Sequence, residues 1–189
     1  VVNGAPKAGR ADAQRNRQRL IAAARQEFTT SGENVTLEAI ARAAGVGIGT
    51  LYRHFPTREV LVEAVYRTER TRLCDAAAEL LADHPPHVAL RRWMDRFGDY
   101  IAIKHEMAET LRAMIASGTV TAAAARQELG AAVRTILEAG AAAGTLRDDV
   151  LAEDVVASLL GVFLVCREPG QRDQAQRMLD LLMRGLRTE

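Results

Sequence analysis

The chain has 189 residues, 48% of them hydrophobic and 26% charged, with a formal net charge of +1 and two cysteines. This length can bury one large or two small cores, the cysteine count excludes a disulfide scaffold, and five prolines among abundant Ala, Leu, Arg and Glu favour an all-α fold. The longest uncharged apolar run, residues 155–166, falls well short of the roughly 20 residues that span a bilayer, and the amino terminus carries no apolar signal-peptide core, so a cytoplasmic protein is expected.

Residues 1–11 hold Gly4, Pro6 and Gly9 without apolar periodicity and are expected to be a disordered basic arm. Arg10, Arg15, Arg17 and Arg19 lead from it into a first helix, placed either to reach phosphates and a minor groove or to solubilise the terminus. That helix starts near Ala13 and buries Leu20, Ile21, Ala24 and Phe28. Thr36 then caps a second helix with Glu38 in its first turn and Leu37, Ile40, Ala41 and Ala44 on its buried side. Gly45 stops this helix by taking positive φ, Val46 plugs the bend, and a third helix from Ile48 to Phe55 buries Leu51 and Phe55. Pro56 ends the third helix and Thr57 caps a fourth.

Two short helices around a glycine turn read as a helix-turn-helix, with the N-terminal domain spanning residues 12–58. The third helix leaves Ile48, Gly49, Thr50, Tyr52, Arg53 and His54 for other surfaces. Small residues at its start permit close approach, and Thr, Tyr, Arg and His can bond phosphate oxygens, so the helix suits a major groove about 12 Å wide. The plainer alternative is a solvated polar face. Charge favours the first: residues 1–60 carry nine Lys/Arg against five acids, whereas the remainder carries 16 against 19. The near-neutral total hides a polarised chain whose basic end holds the motif.

Thr36, Ile40 with Ala41, Ala44 to Val46, Thr50 to Tyr52, His54 with Phe55, Arg58 and Leu61 resemble the DNA-binding domain of the TetR family of transcriptional regulators, over roughly residues 12–66. The resemblance implies a homodimeric regulator of double-stranded DNA, most often a repressor released by a small molecule. It implies phosphate contacts from Thr36, Thr50, Tyr52, His54 and Arg58, and base reading by Ile48, Gly49 and Arg53. Ile48 and Gly49 stand where relatives often carry polar base-reading residues. Contact with thymine methyls or shape readout is therefore expected to replace hydrogen bonding at the helix tip.

A fourth helix, from Arg58 to about Ala82, opens an effector-binding and dimerisation region over residues 59–189. The stretch from His84 to His87 ends it, and further helices are expected at about 88–104, 105–117, 121–143, 153–166 and 171–187, with breaks at Gly118, at Gly144 with Thr145, and at Pro169 with Gly170. Residues 155–166 are apolar on every side and need cover on more than one face. With Met178, Leu182 and Leu186 on the last helix, Val156, Leu160 and Phe163 are expected to form half of a four-helix homodimer interface, an intramolecular core being the alternative. Trp93, Phe97 and Tyr100, followed by Met107, Leu111 and Met114, are expected to line a site for an apolar or amphipathic effector if the resemblance extends that far; otherwise they are core.

Other constellations are weaker. Cys74 and Cys166 lack a CxxC spacing and read as small hydrophobes, and two prolines deny His84 and His87 the one-turn spacing of a metal pair. With no GxSxG, HExxH or phosphate-cradling glycine loop, no catalytic residue, metal, cofactor or enzymatic activity is expected. Three functions of different class stay open: a ligand-responsive dimeric repressor, a DNA-binding regulator without an effector, and an enzyme or carrier using a helical cavity. The first two call for an operator, palindromic for a dimer whose recognition helices lie about 34–36 Å apart.

Overall fold

A computed structural model of the protein describes residues 5–188. Its helices in chain order are α1 (Ala5–Ser31), α2 (Leu37–Ala43), α3 (Ile48–His54), α4 (Arg58–Asp83), α5 (Pro86–His105), α6 (Ala108–Ala116), α7 (Ala122–Ala142), α8 (Ala152–Val165) and α9 (Arg172–Leu186), with 3-10 turns at Gly32–Asn34 and Pro169–Gln171. Among the described residues extended pairing is limited to an isolated bridge between Leu146 and Arg187. The all-α expectation and the helix order hold, most boundaries within two residues.

The first helix departs from expectation by beginning at Ala5 instead of near Ala13, so residues 5–11 fall within α1. Ala5, Ala8 and Ala11 lose no side-chain entropy in a helix, and Pro6 stands in the first turn, where no N–H is required; local propensity outweighs the missing apolar periodicity. Residues 1–4 of the expected arm lie outside the described residues.

Two compact units divide the chain, and their boundaries differ from the single division expected at residue 58. One gathers the helices up to Thr68 with Ile103–Val120, and the other gathers Glu69–Ala102 with the chain from Thr121 onward. α4 and α5 each contribute to both units, and α6 belongs with the N-terminal helices. Periodicity marks where a helix runs but not which neighbours it finds, so this grouping is not readable from spacing.

In the first unit α1 packs on α2 and α3 around Leu20, Phe28, Ile40, Leu51, Phe55 and Leu61, each fully buried. The turn of the motif closes as its sequence predicts. Gly45 takes φ +65°, its N–H bonds Arg42 O at 3.0 Å, and the Val46 N–H bonds Ala41 O at 3.0 Å. These two bonds satisfy carbonyls the helix end would otherwise leave open. The same pair of bonds ends α6 at Gly118 and α7 at Gly144.

In the second unit α7 packs on α8, and α8 on α9. Leu90, Trp93, Met94 and Phe97 are fully buried, and the Trp93 indole N–H donates to Leu73 O at 2.8 Å. Gly98 lets the Phe163 ring rest on the backbone of α5, since a Cβ there would lie 2.6 Å from the ring. Arg91 ties α5 to α9 through Asp180 at 2.9 Å and Gln176 at 2.5 Å. Exposed ion pairs of this kind contribute about 0–1 kcal/mol each, so burial of the aromatic and aliphatic side chains dominates.

Candidate nucleic-acid interface

The third helix is short and held from behind. Leu51 and Phe55, one turn apart, are fully buried, while Ile48 (37% exposed), Gly49, Tyr52 (45%) and Arg53 face solvent, with Thr50 and His54 half-buried. A Cβ placed on Gly47 or Gly49 would meet nothing within 4 Å, so the start of the helix presents bare backbone to an open surface. Ile48, Gly49, Tyr52 and Arg53 thus share the outward face of α3 with Thr50 and His54 at its margins, while Thr36 and Arg58 stand at the starts of α2 and α4.

Thr36 caps α2 as its residue type predicts, its hydroxyl oxygen accepting the Ala39 N–H at 3.2 Å. Acceptance uses a lone pair and leaves the hydroxyl proton available for a phosphate oxygen. Thr57 caps α4 in the same way, accepting from Val60 N at 3.4 Å, and its hydroxyl also bonds the Glu59 carboxylate, holding that group below the ordinary carboxylate range.

Arginines on α1 border this surface. The exposed Arg17 stacks its guanidinium over the Phe55 ring, 5.2 Å from the centroid, at the carboxyl end of α3, and Arg19 lies over the turn at Gly45. Arg15 pairs with Asp12, so part of its charge is already answered. Arg58 is different again: half-buried, it donates from Nη1 to Val35 O at 2.6 Å and lies over the Phe28 ring at 5.2 Å. Motif position drew attention to Arg58, but no spacing in the sequence reveals that its head group is occupied.

The six residues named as effector contacts are all buried, yet they divide between the units. Trp93, Phe97 and Tyr100 lie in the second, whereas Met107, Leu111 and Met114 lie in the first. Trp93 and Phe97 stack at 5.6 Å, and Phe97 meets Tyr100 at 6.0 Å and Phe163 at 6.1 Å, an aromatic cluster inside one unit. Two recesses on the second unit, about 400 and 480 Å³ in volume, are lined by other residues. The smaller runs between α4 and α7 past Cys74, Asp75 and Glu128, where burial, with Glu128 adding to it, pushes the Cys74 thiol up to about 11.

The stripe named for dimerisation is partly turned inward. Val156 and Leu186 are buried within the protomer, Phe163 rests on Gly98, and half-buried Met178 lies 3.8 Å, sulfur to sulfur, from Cys166; Leu160 and Leu182 are half-buried. The exposed apolar side chains of this helix pair are instead Leu164 (60%), Val165 (59%) and Leu181 (65%), which sequence reasoning missed. On α8 the exposed row runs through Ala157, Gly161 and Leu164, one residue out of step with the row chosen from the sequence. A helix apolar on all sides offers no periodicity to separate the two rows.

Two stretches of the chain match known families, and the second takes in residues of both units. Residues 20–65 match the family described as "Bacterial regulatory proteins, tetR family", and residues 85–188 match "Transcriptional regulator SbtR-like, C-terminal domain". A crystallised TetR transcriptional regulator of Streptomyces coelicolor is 49% identical, with 90% of this chain and 98% of that one aligned at a TM-score of 0.83. A TetR transcription regulatory protein of Mycobacterium vanbaalenii is 34% identical over 95% and 99% of the two chains, at a TM-score of 0.73. An HTH-type transcriptional regulator of Staphylococcus aureus is 45% identical over 53 residues, and the match spans only 29% of that relative's length. Among the described residues no helix is long and apolar enough to cross a membrane.

Proposed function

Since the chain belongs to the TetR family of transcriptional regulators, we propose that it acts as a homodimeric repressor that binds a palindromic operator and is released by a small apolar or amphipathic ligand. The observation that carries the DNA-binding half is the open face of α3, with Ile48, Gly49, Tyr52 and Arg53 exposed over a fully buried Leu51 and Phe55. Thr36, Thr50, Tyr52, His54 and Arg17 are the phosphate contacts in this reading, and Arg53 is the base reader, with Ile48 against thymine methyls.

The dimer forms through α8 and α9. Leu164, Val165 and Leu181 leave apolar surface in water that a second copy would cover, giving a bundle of four helices, two from each protomer. The effector binds in the second unit near Trp93, Phe97 and Tyr100. It weakens DNA binding by favouring a conformer whose recognition helices no longer match the spacing of successive major grooves, and a coupling of about 1–3 kcal/mol gives roughly 5–150-fold weaker binding.

Footprinting on DNA flanking the coding region, followed by titration with candidate ligands, tests the proposal. A protected palindrome and a ligand that both quenches or enhances Trp93 fluorescence and releases DNA over one concentration range support it. DNA binding that no ligand perturbs would remove the effector half, and absence of any protected sequence would remove the operator half.

A further inference from the structure

The family resemblance assigns Arg58 to the DNA backbone, but its geometry points elsewhere. A phosphate contact must present unsatisfied N–H groups to solvent, as a charge-assisted bond to a phosphate oxygen needs a direct approach. Arg17 has that form: it is exposed, and ring stacking holds it at the end of α3. Arg58 is half-buried, with one edge donating to Val35 O at 2.6 Å and one face over Phe28 at 5.2 Å. Val35 is the buried residue directly before Thr36, the cap of α2, and Phe28 is a fully buried residue of α1. The Arg58 side chain, rising from the first residue of α4, thus touches α1 and the root of α2 at once.

We propose that Arg58 is a positioning residue: its guanidinium clamps the first turn of α4 to α1 and to the start of α2, and sets the helix-turn-helix relative to α4 without contacting DNA. Only a planar fork fits both partners, because one face must lie on a ring while an edge donates in the plane; an ammonium can satisfy one of the two. The clamp deepens the operator-binding reading above and rests on it for its effect on DNA, although the clamp itself exists in the free protein.

The test compares Arg58→Lys with Arg58→Gln in the full chain by operator titration across salt concentrations and by amide hydrogen exchange without DNA. The clamp predicts that Arg58→Lys, which keeps the charge, behaves like Arg58→Gln. Both bind operator about tenfold more weakly. Both keep the wild-type dependence of log affinity on log salt, and both lose amide protection over Leu37–Ala41 while α7 to α9 are unaffected. A phosphate contact predicts the reverse: Arg58→Lys close to wild type, and Arg58→Gln with a salt slope smaller by about 0.9 and intact protection. That pattern, or wild-type behaviour in both variants, overturns the proposal.

Combining Arg58→Lys with Phe28→Leu serves if Arg58→Gln does not fold. The clamp predicts that the two changes are less than additive in operator affinity and in α2 exchange, because each removes the same stack; strict additivity overturns it. Should the wild type bind no DNA, the operator reading fails by itself, and unchanged exchange over Leu37–Ala41 in Arg58→Lys still decides against the clamp.

Discussion

The outward face of α3 and the outward face of the α8–α9 pair are both exposed and are opposite in chemistry. Tyr52 is 45% exposed and Ile48 37%, among Thr50, Arg53 and His54; Leu164, Val165 and Leu181 are 60%, 59% and 65% exposed among Ala157 and Gly161. The first face is content in water and gains a polyanion through charge and hydrogen bonds. The second carries a standing hydration cost of about 25 cal/mol per Å² of apolar surface, which a partner of like chemistry removes. A face that must leave its target on demand is better made polar and wet, and a face meant to stay covered is better made apolar. Substitutions on the two should therefore fail in different ways.

The largest effect is expected at the apolar face. Leu181→Arg places an unpaired charge where the second copy would sit, which costs several kcal/mol at an interface. Because Leu181 is exposed in the protomer, the variant should remain folded, sediment as a monomer and bind operator at least a hundredfold more weakly. A wild type that is itself monomeric at tens of micromolar would contradict the proposed interface. Next comes Phe97→Ala, which removes a fully buried ring from the Trp93–Tyr100 cluster and should cost about 3–5 kcal/mol in thermal or denaturant melts. A ligand response that shifts by more than the stability loss accounts for would support the effector site proposed beside Phe97, and an unchanged melt would contradict its packing role.

At the polar face the effects are smaller and selective. Arg53→Ala should lose about 1–3 kcal/mol at the base pair it reads and flatten discrimination there, seen by competition with single-base operator variants. Equal losses on all sequences would make Arg53 a backbone contact.

Cys74 provides a smaller contrast inside the second unit. Its thiol is raised from 9.0 to about 11 by burial, so the folded protein retains a proton there that the unfolded chain loses first. The stability that the neutral thiol contributes is complete below pH 9 and is lost as pH rises through about 11. Relative to Cys74→Ala, the wild type should therefore lose about 1–2 kcal/mol across that window, its partial exposure discounted, in melts at stepped alkaline pH. A flat difference would show that the thiol is not desolvated. Tyr52→Phe should be milder still, about 0.5–1.5 kcal/mol, and uniform across operator sequences.

Legibility in the sequence follows the range of the interactions. Thr36, Gly45 and Thr57 each declare a helix end through bonds made within four or five residues, and these ends close as expected, while Pro56 declares one by steric exclusion of helical geometry in the residue before it. Leu51 and Phe55 declare the buried side of α3 because their neighbours are polar, which leaves the opposite face named by elimination. The Val155–Cys166 stretch has no polar side, so its helix was legible while its orientation was not. Gly98, which seats Phe163, reveals nothing in sequence, since the pairing joins residues 65 positions apart.

The local order of the chain was written in the residues themselves: nine helices among the described residues, the steep turn at Gly45, a basic amino-terminal third and a polar third helix all follow from capping, propensity and charge, which act between near neighbours. Three-dimensional packing alone settled the rest. It assigned α6 to the N-terminal unit, turned Val156 and Leu186 inward and Leu164 and Leu181 outward, and engaged Arg58 with Val35 and Phe28. Such choices depend on which distant surface offers the best burial or the better hydrogen-bond partner, and that competition is decided by the folded neighbourhood as a whole.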